Sequence, residues 1–167
     1  MEFYHIPYFG EIDFSALKES YCVDMELNGN TVSIDINFKK PNADKSIAFS
    51  IVEFLKNIST FNNQNKAIIG NNFNSNGGEV REYVTFHIEE LGDDFFEQLN
   101  IATESPDKEQ QVLSKLKLVR IGLYPDNKYN TDCFAVFDYT PSREITDQLI
   151  VVKTDKNGNL DHISWES

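Results

Sequence analysis

Val23-Asp24-Met25-Glu26-Leu27-Asn28-Gly29-Asn30-Thr31-Val32-Ser33-Ile34-Asp35-Ile36-Asn37-Phe38 carries the clearest structural signal in the chain. Apolar and polar residues alternate on both sides of Asn28-Gly29. That pair predicts a β-hairpin, because a type I′ turn needs positive φ at both central residues. The register can be tested. If Leu27 faces Asn30, then Met25 faces Val32 and Val23 faces Ile34, and these apolar residues share one face. The opposite face carries Asp24, Glu26 and Asp35, which are expected to be wet.

Downstream the period changes. Ile47, Ala48, Ile51, Val52, Leu55 and Ile58 recur at three- and four-residue steps, which predicts an amphipathic helix over 42–59 with Asn42 or Asp44 as its cap. Phe61 to Gly78 holds seven Asn and three Gly. It is read as a short helix over Lys66–Asn71 followed by an exposed loop at Asn74–Gly78. Val80, Val84, His87, Ile88 and Leu91 mark a helix over 79–91. Ser105-Pro106 is read as a cap and first helical residue, opening a helix that carries Val112, Leu113 and Leu116. The rest reads as strands: Leu118–Tyr124, Cys133–Tyr139, Leu149–Thr154 and Leu160–Trp165. The last two form a hairpin around Asn157-Gly158, in which pairing Lys156 with Asn159 puts Val152 opposite Ile163 and Ile150 opposite Trp165.

Two strands, then three or four helices, then four strands imply one α+β domain over residues 1–167. The expected architecture is an antiparallel sheet built from the N-terminal hairpin and the C-terminal run, with the helices packed on one face. Apolar residues make up 40% of the chain, with 13 Phe and 7 Tyr, enough for a substantial core. The expected core includes Val23, Met25, Val32, Ile34, Val152, Ile163 and Trp165. The N-terminus has no basic region followed by an apolar run, so no secretory signal is expected. No apolar run is long enough for a membrane helix. Cys22 and Cys133 read as reduced, structural thiols. Together these predict a cytoplasmic protein without membrane contact.

Charge narrows the partners. Twenty-seven acids against 15 bases give a net charge of −12. Glu79 to Glu109 alone holds ten acids and two bases. Such a surface attracts cations and basic proteins and repels phosphate backbones, so nucleic-acid binding is not expected. The candidate partner-binding face is Glu89, Glu90, Asp93, Asp94 and Glu97. The plain alternative is a solvated helix face that maintains solubility.

No catalytic signature accompanies the charge. His87-Ile88-Glu89-Glu90 lacks the second His, four residues on, that a zinc protease helix requires. His5, His87 and His162 lie in different elements, so no metal site is expected, and His87 reads as a packed histidine. Cys22 and Cys133 lie near acids, which favours neutral thiols over nucleophiles. Asp126-Asn127-Lys128 and Asp155–Asp161 have some character of calcium loops, but the second lacks the closing Glu and reads as a hairpin turn. Gly77-Gly78 lacks the Lys-Ser/Thr of a phosphate loop. No catalytic residue and no cofactor are assigned.

Ile6-Pro7-Tyr8-Phe9-Gly10-Glu11-Ile12-Asp13, the hairpin after it, and the tail segments Tyr139-Thr140-Pro141, Thr146-Asp147-Gln148-Leu149, Gly158 and Glu166-Ser167 resemble the bacterial family called domain of unknown function 2004. The resemblance spans nearly the whole chain. That family has no assigned activity, so the resemblance supplies no catalytic residue. Similar families stand among the immunity proteins of bacterial toxin systems. Two expectations follow: an acidic interaction module, of which an immunity-type inhibitor of a basic toxin is the specific form, or alternatively a small-ligand-binding protein or enzyme with its site in the sheet–helix cleft.

Overall fold

A computed structural model describes residues 1–167. A two-stranded hairpin, β1 (Phe3–Ile6) and β2 (Gly10–Asp13), precedes β3 (Ser20–Leu27) and β4 (Asn30–Asn37). Four helices follow: α1 (Lys45–Lys56), α2 (Ile58–Asn74), α3 (Glu79–Gln98) and α4 (Lys108–Lys115). The chain closes with β5 (Lys117–Leu123), β6 (Ala135–Thr140), β7 (Leu149–Thr154) and β8 (Leu160–Glu166). The fold is α+β, and β3 to β8 lie side by side in sequence order in one six-stranded sheet.

The hairpin register agrees with the sequence: Leu27 pairs Asn30, Met25 pairs Val32 and Val23 pairs Ile34. Asn28 and Gly29 both have positive φ, as the turn requires. Val152 pairs Ile163 and Ile150 pairs Trp165 as expected, but a bulge between Lys153 and Thr154 shifts the turn, so Asn159 accepts from the amide of Asp155 and does not pair with Lys156. The sheet departs from the expected antiparallel arrangement at one seam, where β4 and β5 run parallel. The cause is topological. The helices form the crossover between these strands, and a long crossover returns the chain in the same direction.

The sheet face toward the helices carries Val32, Ile34, Ile36, Ile121, Leu123, Phe137, Tyr139, Ile150 and Val152, all buried. One hydrophobic cluster joins this face to α1–α4 and to Ile6, Ile12 and Phe14. Val23, Met25, Ile163 and Trp165 are only partly buried, because they lie on the outermost strands. The β1–β2 hairpin went unread in the sequence, since its strands are short and barely alternate. An edge-to-face series Tyr4–Phe14–Phe38–Tyr21 fastens it, with ring centroids 5.2, 5.9 and 6.1 Å apart.

Asp44 caps α1, accepting from the amides of Ser46 and Ile47. α2 is far longer than the expected segment at 66–71. Phe61, Asn62, Asn65, Ile69 and Phe73 fall on one buried stripe, and that packing outweighs the weak helix propensity of asparagine. α4 begins after Asp107 rather than at Pro106; the Ser105 hydroxyl instead donates to Asp107.

Candidate functional site

Two surfaces emerge, one on α3 and one on the sheet face that no helix covers.

α3 buries Val80, Tyr83, Val84 and His87, and after a break also Phe95 and Phe96. The break is Gly92, with φ 59° and ψ −150°. Glu89 and Glu90 therefore precede the kink, while Asp93, Asp94 and Glu97 follow it. All five are exposed. None of them enters any ion pair of the fold. The nearby cations are engaged elsewhere. Arg81 donates to the Phe73 carbonyl at 2.9 Å and to Glu109 at 3.3 Å. Lys108 lies 5.0 Å from the Phe96 ring centroid.

The uncovered sheet face corrects the expectation for Asp35. Its side chain is only 16% exposed. Arg120 holds it with two parallel hydrogen bonds, Nε to Oδ1 at 2.7 Å and Nη2 to Oδ2 at 2.8 Å. The same guanidinium donates to Asp138 at 3.2 Å and to the Tyr124 hydroxyl at 3.0 Å. Asn37 donates to Asp35 at 2.5 Å. Arg120 and Asp138 pair directly across β5 and β6, which places them on one face. Beyond them Lys153 donates to Glu166 at 2.7 Å, and Ser164 donates to the same carboxylate oxygen at 2.6 Å.

The electrostatics follow from burial. Asp138 is 5% exposed. Desolvation raises its pKa above the usual carboxylate value, against the opposing pull of Arg120. Burial works against the Arg120 charge, but the hydrogen bonds to Asp35 and Tyr124 prevail and its pKa is raised. Glu166 loses solvent too, yet Lys153 and Ser164 hold its pKa below the usual range. A cleft of about 400 Å³ opens over this group, bounded by Tyr124, Tyr129, Asp138, Lys153 and Glu166. It lies opposite the helices, whereas the sequence reading placed a ligand site between sheet and helices. Sequence signals for it did exist: Arg120 interrupts Leu118-Val119-Arg120-Ile121, and Asp138 stands between Phe137 and Tyr139. A charge inside an apolar strand is a candidate for a paired, half-buried position.

Among the remaining sequence candidates, His87, Asp126 and Asp155 are engaged in hydrogen bonds within the fold. His87 is fully buried; its Nδ1–H donates to the Tyr83 carbonyl at 2.7 Å, and its Nε2 accepts from the Thr146 hydroxyl at 2.9 Å. Cys22 is exposed and Cys133 buried, both as free thiols. Burial raises the Cys133 pKa, which favours the neutral thiol. Asp155 turns the last hairpin by accepting from the amides of Asn157 and Asn159. Asp126 is taken up by the amides of Lys39 and Lys40. No three His, Cys, Asp or Glu side chains gather where a metal ion would be held. No helix is long and apolar enough to cross a membrane.

Comparison with protein families, with curated proteins and with solved structures finds no match.

Proposed function

We propose that this chain is a protein-interaction module that captures a basic partner protein through the exposed acids of α3, an immunity-type inhibitor of a basic toxin being the specific form. The observation that carries this reading is the lack of internal compensation. Glu89, Glu90, Asp93, Asp94 and Glu97 are exposed, and none is paired, although the fold forms ion pairs elsewhere. Uncompensated charge of one sign steers an oppositely charged partner and speeds association. We place the protein in the cytosol, where two free thiols persist.

The test reverses Glu90, Asp93 and Asp94 to Lys and compares pull-downs of wild-type and variant protein at low and moderate salt, identifying what is captured. Wild-type protein is expected to capture a basic protein in a salt-sensitive manner, and the variant to lose it. Equal capture by both, or capture of nothing basic, removes the reading. The fold is expected to survive, since exposed substitutions usually shift stability by under about 0.5 kcal/mol each.

A second reading is favoured by Asp138, a nearly buried carboxylate beside Arg120 under an open cleft. On that reading the cleft binds a small polar ligand. A ligand screen by thermal shift, repeated with Asp138→Asn, decides it: hits that the substitution abolishes support it, and an absence of hits removes it.

A further inference from the structure

The two edges of the six-stranded sheet are treated differently. At β8, α3 lies alongside, and Glu79 accepts the Trp165 backbone N–H at 2.5 Å. The β8 ladder also carries a bulge. Capping and bulging are how folded proteins keep an edge from recruiting another strand. β3 has neither. It runs eight residues without proline or a register shift, and its sole strand neighbour is β4. The two-residue turn closes on Leu27 and Asn30 as a hydrogen-bonded pair, and such pairs recur at every second residue. The backbone groups of Cys22, Asp24 and Glu26 therefore point outward, and no hydrogen bond from outside the sheet reaches them.

The side chains beside this edge define its occupant. Val23, Met25 and Leu27 remain half-exposed on the helix side, although their partners Val32 and Ile34 are fully buried. On the other side stand the exposed acids Asp24 and Glu26. We infer that β3 receives an extended segment of a partner protein in which Lys or Arg alternates with apolar residues. The segment's backbone completes the ladder, its apolar side chains cover Val23 and Met25, and its cations face Asp24 and Glu26. A second copy of this chain fits poorly, because it would bring the same acids and another net charge of −12 to the seam. The charge of the segment rests on the basic-partner proposal above; the addition of a strand does not.

The experiment adds a capped ten-residue peptide of alternating Lys and Val to the full chain and follows amide hydrogen exchange residue by residue. The expected result is slowing of at least about tenfold at Cys22, Asp24 and Glu26, since newly bonded amides exchange only after opening. The same peptide with methylated backbone nitrogens is expected to give no slowing. Asp24→Pro, which removes an outward N–H as well as the carboxylate, is expected to weaken peptide binding more than Asp24→Asn, which removes the charge alone. Binding without protection in β3, or equal binding of the methylated peptide, overturns the inference. Equal protection by a Glu–Val peptide overturns the charge assigned to the segment. Reversing Glu90, Asp93 and Asp94 is expected to leave the β3 protection intact, so this proposal and the α3 reading fail separately.

Discussion

Arg120 reaches Asp35 by lying across Gly122. A Cβ placed on Gly122 would stand 2.6 Å from Arg120 Nη2 and 3.0 Å from its Cζ. The missing side chain is what lets the guanidinium lie flat on the sheet and make both bonds at 2.7 and 2.8 Å.

Gly122→Ala is therefore expected to push Arg120 off Asp35 and lower stability by about 1–3 kcal/mol, the scale of hydrogen bonds to charged groups. Urea unfolding measures it. If Gly122→Ala unfolds at the wild-type midpoint, Arg120 is not held this way.

Ile34 is fully buried in the middle of the core. Ile34→Ala is expected to cost roughly 2–5 kcal/mol. Val23→Ala, directly opposite on the half-exposed edge strand, is expected to cost clearly less. Equal losses would contradict the described burial.

Two buried asparagines on α2 make opposite predictions. Asn62 accepts from the Tyr139 hydroxyl at 2.8 Å, whereas Asn65, beside the same hydroxyl, makes no hydrogen bond of good geometry with either amide atom. Asn62→Leu orphans a buried hydroxyl and is expected to destabilise by about 1–3 kcal/mol. Asn65→Leu removes an unsatisfied amide and is expected to be neutral or stabilising. Denaturation of both variants in parallel checks the contrast, and a large loss in Asn65→Leu would contradict it.

His87 sets a pH dependence. Burial lowers its pKa from 6.5, against the backbone bond to Tyr83. The unfolded chain takes up a proton near pH 6.5 while the folded state keeps the neutral ring. The stabilisation is therefore fully present above that pH and is lost as pH falls from about 6.5 toward the folded-state value. His87→Gln is expected to flatten that part of the profile. Unfolding midpoints between pH 5 and about pH 8 decide it; identical slopes would show that His87 takes no part.

The hairpins are legible because alternation is a local signal, and Met25–Val32 and Val152–Ile163 pair as read. Only the first closes on a two-residue Asn-Gly turn, since Asn157 lacks a positive φ and the bulge moves the last closure to Asp155 and Asn159. The full length of α2 is not legible locally, because asparagine content masks the stripe from Phe61 to Phe73, which only tertiary packing makes helical. The exposure of Glu89, Glu90, Asp93, Asp94 and Glu97 is readable from their charge. Alternation puts Asp35 on the wet face because it assigns a face without saying what else shares it. Its partner Arg120 is far away in sequence and reaches it through a parallel pairing that no local pattern announces.

That parallel pairing also governs how the chain assembles. β3–β4 closes over a two-residue turn, and β5 to β8 follow one another as neighbours, so each half can organise from nearby residues. Joining Ser33 to Arg120 requires closing the whole helical segment between them, which makes this seam the most non-local step of folding. The two pieces are therefore expected to meet late, with the Asp35–Arg120 bond forming as they meet. Asp35→Asn is accordingly expected to accelerate unfolding while leaving the refolding rate nearly unchanged, and stopped-flow kinetics that showed slowed refolding instead would place the seam in the folding nucleus.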